Sequence, residues 1–146
     1  MSTAIHFRME PSANDLLPAK AHPDDAAWDL RARTEQELPP GKIALVPTGV
    51  FLELPVGYEA QVRPRSGLAL KSGVTVWNSP GTIDAGYRGE IGVILYNGSD
   101  TAFAIHRGDR IAQMVIHKLP DVTLELADEL NDSARGAGGF GSTGIQ

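Results

Sequence analysis

Short clusters of turn-forming residues interrupt the chain so often that it has little room for long helices. They are Pro39-Pro40-Gly41, Pro47-Thr48-Gly49, Pro55-Val56-Gly57, Ser79-Pro80-Gly81, Asn97-Gly98-Ser99 and Arg107-Gly108-Asp109. Proline fixes φ and glycine permits positive φ, so each cluster is expected to reverse the chain. Between them lie β-type runs: Ile5–Met9, Trp28–Ala32, Lys42–Val46, Val50–Leu54, Tyr58–Val62, Val74–Trp77, Ile91–Tyr96, Ala102–Ile105, Arg110–His117 and Val122–Leu126. Short strands at this spacing predict an all-β fold, a jelly-roll-like barrel or sandwich. One short helix is expected at Ser66–Lys71, with Ser66 as its cap and Gly73 as its stop.

At 146 residues, with 42% hydrophobic and 21% charged side chains, the chain is long and apolar enough for one globular domain with a real core. Its net charge of −5 argues against a polymeric nucleic-acid partner, while local arginines leave room for a small anion. There is no cysteine, which excludes disulfides and thiolate metal sites and fits a reducing compartment. No run approaches the ~20 apolar residues of a membrane helix, and Arg8 and Glu10 interrupt any signal-like core. The chain therefore reads as cytoplasmic, with no membrane partner. From Asn131 the composition changes to NDSARGAGGFGSTGIQ, giving a folded domain at 1–130 and a flexible arm at 131–146.

Asn78–Asn97, NSPGTIDAGYRGEIGVILYN, holds a lone acid, Asp84, between an apolar run (Gly81, Thr82, Ile83) and a glycine-broken turn containing Tyr87. A carboxylate held there can orient a water and take its proton; Asp in a β-turn is also an ordinary surface feature. Arg63-Pro64-Arg65-Ser66-Gly67 places two guanidinium groups, a hydroxyl and a glycine together, either as an anion site or as a solvated turn. Gln113 breaks the apolar run Ile111–Ile116, and Asp29 sits in an apolar run of its own; either needs a partner if buried. In the tail, Arg135 and Phe140 lie among glycines, where backbone amides and an arginine can wrap phosphate while a phenyl ring stacks on a base. The ordinary reading of that tail is a linker. The four histidines show no metal-ligand spacing.

Each signal is weak alone; their order is not. The segments AAWDLRA, PRSGLAL, GTIDAGYRGEIGVILYN, GDRIAQMVI and RGAGGFGSTG resemble the five ordered motifs of the trimeric dUTPase family, from about Ile5 to Gly144. The resemblance implies a β-rich jelly roll that assembles as a homotrimer, with three active sites shared between chains. It implies a dUTP diphosphatase that converts dUTP to dUMP and pyrophosphate, lowering dUTP and supplying dUMP for dTTP synthesis.

By the same resemblance Asp84 is the general base for in-line attack of water on the α-phosphorus. Asn78 and the backbone of Gly81, Thr82 and Ile83 read the uracil edge, with a further contact near Gly92. Tyr87 lies beneath the deoxyribose and crowds out a 2′-hydroxyl. Arg65, Ser66 and Gly67 bind phosphate oxygens from a second chain, and Gln113 assists at the α-phosphate. Arg135, with Gly138 and Phe140, comes from the third chain, the arginine on the γ-phosphate and the ring on uracil. Mg2+ is implied as cofactor, held mainly by the triphosphate, with Asp29 acting through water. The first motif departs mildly, with Ala27-Trp28 before Asp29 where the family usually has Gly-Tyr. Two alternatives are a dCTP deaminase-like relative and a non-catalytic binding module on the same scaffold. The first is expected to lack the IDAGYRGE hairpin and the Gly-rich tail, and the second is free to lose Asp84 or Arg135.

Overall fold

Alternation along Glu90–Asn97 organises the molecule. Ile91, Val93, Leu95 and Asn97 are buried, while Glu90, Gly92, Ile94 and Tyr96 stand on the half-covered face. The period of two is what a pleated strand with one face on a core requires. The computed structural model describes residues 2–141. Among them the chain forms β1 (His6–Met9), β2 (Trp28–Arg31), β3 (Gln36–Leu38), β4 (Ile43–Glu53), β5 (Tyr58–Arg63), α1 (Ser66–Ser72), β6 (Val74–Val76), β7 (Gly81–Ile83), β8 (Glu90–Asn97), β9 (Phe103–Ile105) and β10 (Arg110–Lys118).

One antiparallel sheet has the order β1-β4-β8-β6, a second has β2-β10-β5-β7, and β3 and β9 form a two-stranded ribbon. A single core draws on both large sheets: Val46, Val50, Leu52, Val93 and Leu95 from the first, Leu30, Ala60, Val62, Ala112 and Met114 from the second. The fold is therefore the expected all-β class. The ribbon is tied to the end of β8 by buried Asn97, whose Nδ2 donates to Leu38 O (2.9 Å) and Thr101 O (2.8 Å). Its Oδ1 accepts from Ser99 N (2.9 Å) and Ser99 Oγ (2.7 Å), so a buried amide is fully satisfied.

Several expectations are corrected. Pro47-Thr48-Gly49 does not reverse the chain: the runs expected at Lys42–Val46 and Val50–Leu54 are one strand, β4, with a register shift between Pro47 and Phe51 where it pairs β8. The three residues form a bulge. Gly49 has φ +76, and a Cβ there would lie 2.5 Å from that of Ala13. Tertiary contact thus converts turn chemistry into a kink within a strand. Val122–Leu126 forms no strand: the segment pairs with none of the sheet edges, and Leu124 and Leu126 are fully exposed. The N-cap is Arg65 rather than Ser66: Arg65 has the extended backbone of a capping position (φ −91°, ψ 129°), Ser66 is already helical, and no side chain caps the helix. Gly73 does end it, in the left-handed conformation (φ 66°). Residues 142–146, the last part of the expected arm, lie outside the described residues.

Candidate functional site

The residues singled out in the sequence fall into three groups that do not meet within one chain. The first group surrounds a cavity of about 200 Å³ lined by Val62, Asn78, Gly81, Thr82, Ile83, Asp84, Tyr87, Glu90, Gly92 and Ile94. β7 supplies one wall. It is the edge strand of its sheet and pairs only β5, Gly81 opposite Val62 and Ile83 opposite Ala60. Half of its backbone N–H and C=O groups therefore point away from the ladder, free to read a planar polar edge. Gly81 lets the Asn78 amide approach: a Cβ at residue 81 would lie 3.3 Å from Asn78 Nδ2.

Asp84 follows β7 directly and is exposed. Its backbone carbonyl accepts from Tyr87 N (3.1 Å), closing the turn. The Tyr87 ring packs against Gly89, where a Cβ would sit 2.4 Å from the phenolic oxygen. The phenol donates to Glu90 O (2.9 Å), and Arg88 Nη1 donates to Ala85 O (2.7 Å). Glu90 and Ile94, lining residues that the motif reading did not single out, come from the half-covered face of β8. Their signal was available in the alternation of that strand.

Glu90 is the better anchored. Its carboxylate accepts from Arg33 Nε (3.0 Å) and Nη2 (3.2 Å), and from Gly49 N in the β4 bulge (2.8 Å). Hydrogen bonding to Glu90 raises the Arg33 guanidinium above its ordinary pKa.

The second group lines a cavity of about 410 Å³: Asp25, Asp29, Arg63, Arg65, Ser66, Gly67, Arg110 and Gln113, with Ala21, Ala26, Ala27 and Val115. Asp29, Gln113 and Arg63 form one cross-strand row, since β10 pairs Gln113 with Asp29 on one side and with Arg63 on the other. The Gln113 amide donates to Pro64 O (3.1 Å), the partner that a half-buried glutamine needs. Arg65 Nη1 donates to Arg110 O (3.1 Å), and the Asp29 carboxylate lies 4.0 Å from Arg65 Nε and 3.6 Å from Arg110 Nη1.

Three arginines face two aspartates here, so the cavity favours an anion although the whole chain is acidic. Ser66 and Gly67 begin α1, where backbone N–H groups have no intrahelical acceptor. Arg110, the first residue of the run expected at Arg110–His117, opens β10 and lines this cavity.

Val62 lines the first cavity and Arg63 the second, and consecutive residues of a strand point to opposite faces. The two cavities share no lining residue: the first wraps the free edge of β7, and the second lies on the Arg63 side of β5.

The third group lies in the tail. Arg135 Nε bonds Gly138 O, Gly138 N donates to Arg135 O (3.2 Å), and Phe140 is fully exposed with φ 51°. These three residues border neither cavity.

Among the described residues no cluster of three or more His, Cys, Asp or Glu side chains is suited to a metal. The described residues therefore offer a cation no cage of their own. Asp29, with a side chain 20% exposed at the edge of the arginine-rich cavity, can meet a cation through water. That donor set fits Mg2+ carried largely by phosphate oxygens.

An edge-strand cavity with a carboxylate at its rim, and a separate arginine-lined cavity, define a β-sandwich protein suited to a nucleotide. The dUTPase family model matches residues 14–144. The chain belongs to the dUTPase family. A deoxyuridine 5′-triphosphate nucleotidohydrolase from Gloeothece citriformis (strain PCC 7424) is 56% identical over 130 residues, 89% of this chain and 90% of that protein. Among solved structures, a mutant Staphylococcus bacteriophage 80alpha dUTPase with dUpNHpp superimposes with a TM-score of 0.89 at 26% identity, covering 99% of this chain and 100% of that one. A mutant dUTPase from phage phi11 of S. aureus, described for its coordination of a structural Mg(II) ion, gives 0.78 at 25% identity, covering 87% and 98%.

Proposed function

We propose that the chain hydrolyses dUTP to dUMP and pyrophosphate, with Asp84 as general base, in a homotrimer whose sites each draw on more than one chain. The observation that carries the shared site is the separation of the Asp84 cavity from the arginine cavity, which share no lining residue. A triphosphate seated at the first needs the arginines of a neighbour, and a closed ring of like chains supplies them. The exposed Val122, Leu124, Leu126 and Leu130 support association, because a lone chain leaves this apolar surface in water.

In this reading the free edge of β7 and the Asn78 amide pair with uracil. Cytosine, with donor and acceptor exchanged, leaves those groups unpaired, which is the costly kind of mismatch. Close backbone approach along Gly81–Ile83 excludes thymine's methyl, and Tyr87 excludes a ribose 2′-hydroxyl. Asp84 accepts the proton of the water that attacks the α-phosphorus, opposite the pyrophosphate leaving group. Arg65, Ser66, Gly67 and Gln113 of a second chain hold phosphate oxygens. The arm at 131–146 brings Arg135 and Phe140 over the site from a third, and its closure excludes water. Mg2+, when bound, spreads the charge that develops on the pyrophosphate. Asp29 would hold its water shell, and the nearby guanidinium groups add to the charge stabilisation. Lowering dUTP and supplying dUMP for dTTP synthesis, in the cytoplasm, is the role such a reaction serves.

The test is incubation with Mg2+ and each deoxynucleoside triphosphate in turn, measuring pyrophosphate and monophosphate. Release from dUTP alone is expected. Equal release from all of them, or from none, refutes the assignment. Asp84→Asn should lower turnover by roughly 10²–10⁴-fold, the usual worth of a general base, while dUTP binding persists.

A further inference from the structure

Tyr87 can police the sugar only if its ring is held in place, and the turn that carries it is poorly held. Gly86, Tyr87 and Arg88 are exposed, and the hydrogen bonds of Asp84 O and Ala85 O stay within the turn. The contact that ties the ring to the body of the protein is the phenol's bond to Glu90 O. What fixes Glu90 therefore fixes Tyr87.

Glu90 is fixed from two directions at once. Arg33 grips its carboxylate with a two-pronged pair, the strong form of such a bond. Gly49 N–H grips it from the bulge, and the buried Thr48 hydroxyl donates to the next carbonyl, Ile91 O (2.7 Å). Arg33 is itself fastened to the same bulge, its backbone N–H donating to Pro47 O (2.8 Å). Pro47-Thr48-Gly49, Arg33 and Glu90 thus form one closed clamp around the first residues of β8. The Arg33 and Glu90 side chains are each 25% exposed, so the pair is largely shielded from solvent.

We infer that Arg33 and Glu90 are positioning residues for sugar discrimination: the clamp they form holds the Tyr87 ring where it rejects a 2′-hydroxyl. The inference rests on the reading of this cavity as the deoxynucleoside site. Excluding one oxygen atom demands placement within about 0.5 Å, and an exposed turn without the clamp has no such precision.

The test compares kcat and KM for dUTP and UTP in the wild type and in Glu90→Gln, Arg33→Met and Arg33→Lys, with melting temperatures measured alongside. Calorimetric affinities for dUMP and UMP give a readout independent of turnover. In Arg33→Met the preference for dUTP over UTP should fall about tenfold or more, through better use of UTP rather than a collapse of kcat for dUTP, and in Glu90→Gln, whose side chain lines the cavity, the ratio should fall likewise whatever the change in kcat. Arg33→Lys should recover part of the preference, because an ammonium still reaches one Glu90 oxygen. A merely structural pair would lower both substrates and the melting temperature together and leave the ratio unchanged. That outcome overturns the inference, as does an unchanged dUMP-to-UMP affinity ratio. If Glu90→Gln does not fold, the arginine variants, which leave the cavity lining intact, decide the matter. A wild type without dUTP turnover refutes the activity and this inference with it. Wild-type selectivity that survives in every variant refutes the clamp alone.

Discussion

Thr48→Val removes one oxygen from the centre of the β4 bulge and nearly nothing else. Thr48 is fully buried, its hydroxyl donates to Ile91 O (2.7 Å), and the same oxygen accepts from Val50 N (3.2 Å). Valine fills the space but leaves a buried carbonyl and a buried N–H without partners. Each orphaned group costs about 1–3 kcal/mol, so the pair should cost about 2–4 kcal/mol, allowing for some relaxation at the bulge. Against a total of roughly 5–15 kcal/mol for a domain, that is a large fraction. Urea unfolding at one fixed protein concentration measures it, because association couples stability to concentration. The midpoint should fall at an unchanged slope. A loss below about 0.5 kcal/mol would refute the reasoning, since that is the range of surface substitutions away from such features.

Three further outcomes follow from the same geometry. Gly89→Ala would set a Cβ 2.4 Å from the Tyr87 phenol oxygen; the half-exposed ring should yield rather than the backbone. Melting should then change little while kcat/KM for dUTP drops about tenfold, in line with the cost of misplacing a group in a site; unchanged kinetics would contradict the placement of Tyr87. Ending the chain after Ala134 should cut dUTP turnover strongly while circular dichroism and sedimentation stay those of the parent, and an undiminished rate would contradict a closing arm. Arg107 bonds Asp15 (2.7 and 3.0 Å) and Ser12 O, and this hydrogen bonding holds the Asp15 carboxyl below its usual 3.8. A lowered folded-state value means stability present above the unfolded pKa and lost as pH falls through the folded one. The melting difference between wild type and Asp15→Asn should therefore be small, present at pH 7, and close below pH 3.8; a difference that widens in acid contradicts the pairing.

The strands that alternate against the core were legible because burial imposes its period on the sequence, as in Ile91–Asn97 and Tyr58–Val62. Pro47-Thr48-Gly49 was misread because a turn and a bulge call for the same residues. What separates them is contact with Ala13, Arg33 and Glu90, distant in sequence. The alternation at Val122–Leu126 is genuine, yet a strand also needs to pair with an edge, and this segment pairs with none of those the sheets leave free. Of the candidate site, the motifs displayed many of the residues that line the two cavities, while the pairing of Arg33 with Glu90 across 57 positions left no local trace. Nor does the order of the motifs reveal that Asn78–Tyr87 and Arg65–Gly67 line two separate cavities, which only the folded sheet shows.

A site divided between chains is tested most directly by mixing two inactive proteins. Asp84→Asn and Arg65→Ala, each silent alone toward dUTP, are unfolded together, refolded and assayed as mixed oligomers. If Asp84 and Arg65 serve one site from different chains, random mixing in a closed ring restores about one quarter of the wild-type sites. Activity in the mixture is the predicted result. A mixture as inactive as its parents, with mixed oligomers shown to have formed, contradicts a site shared between neighbouring chains.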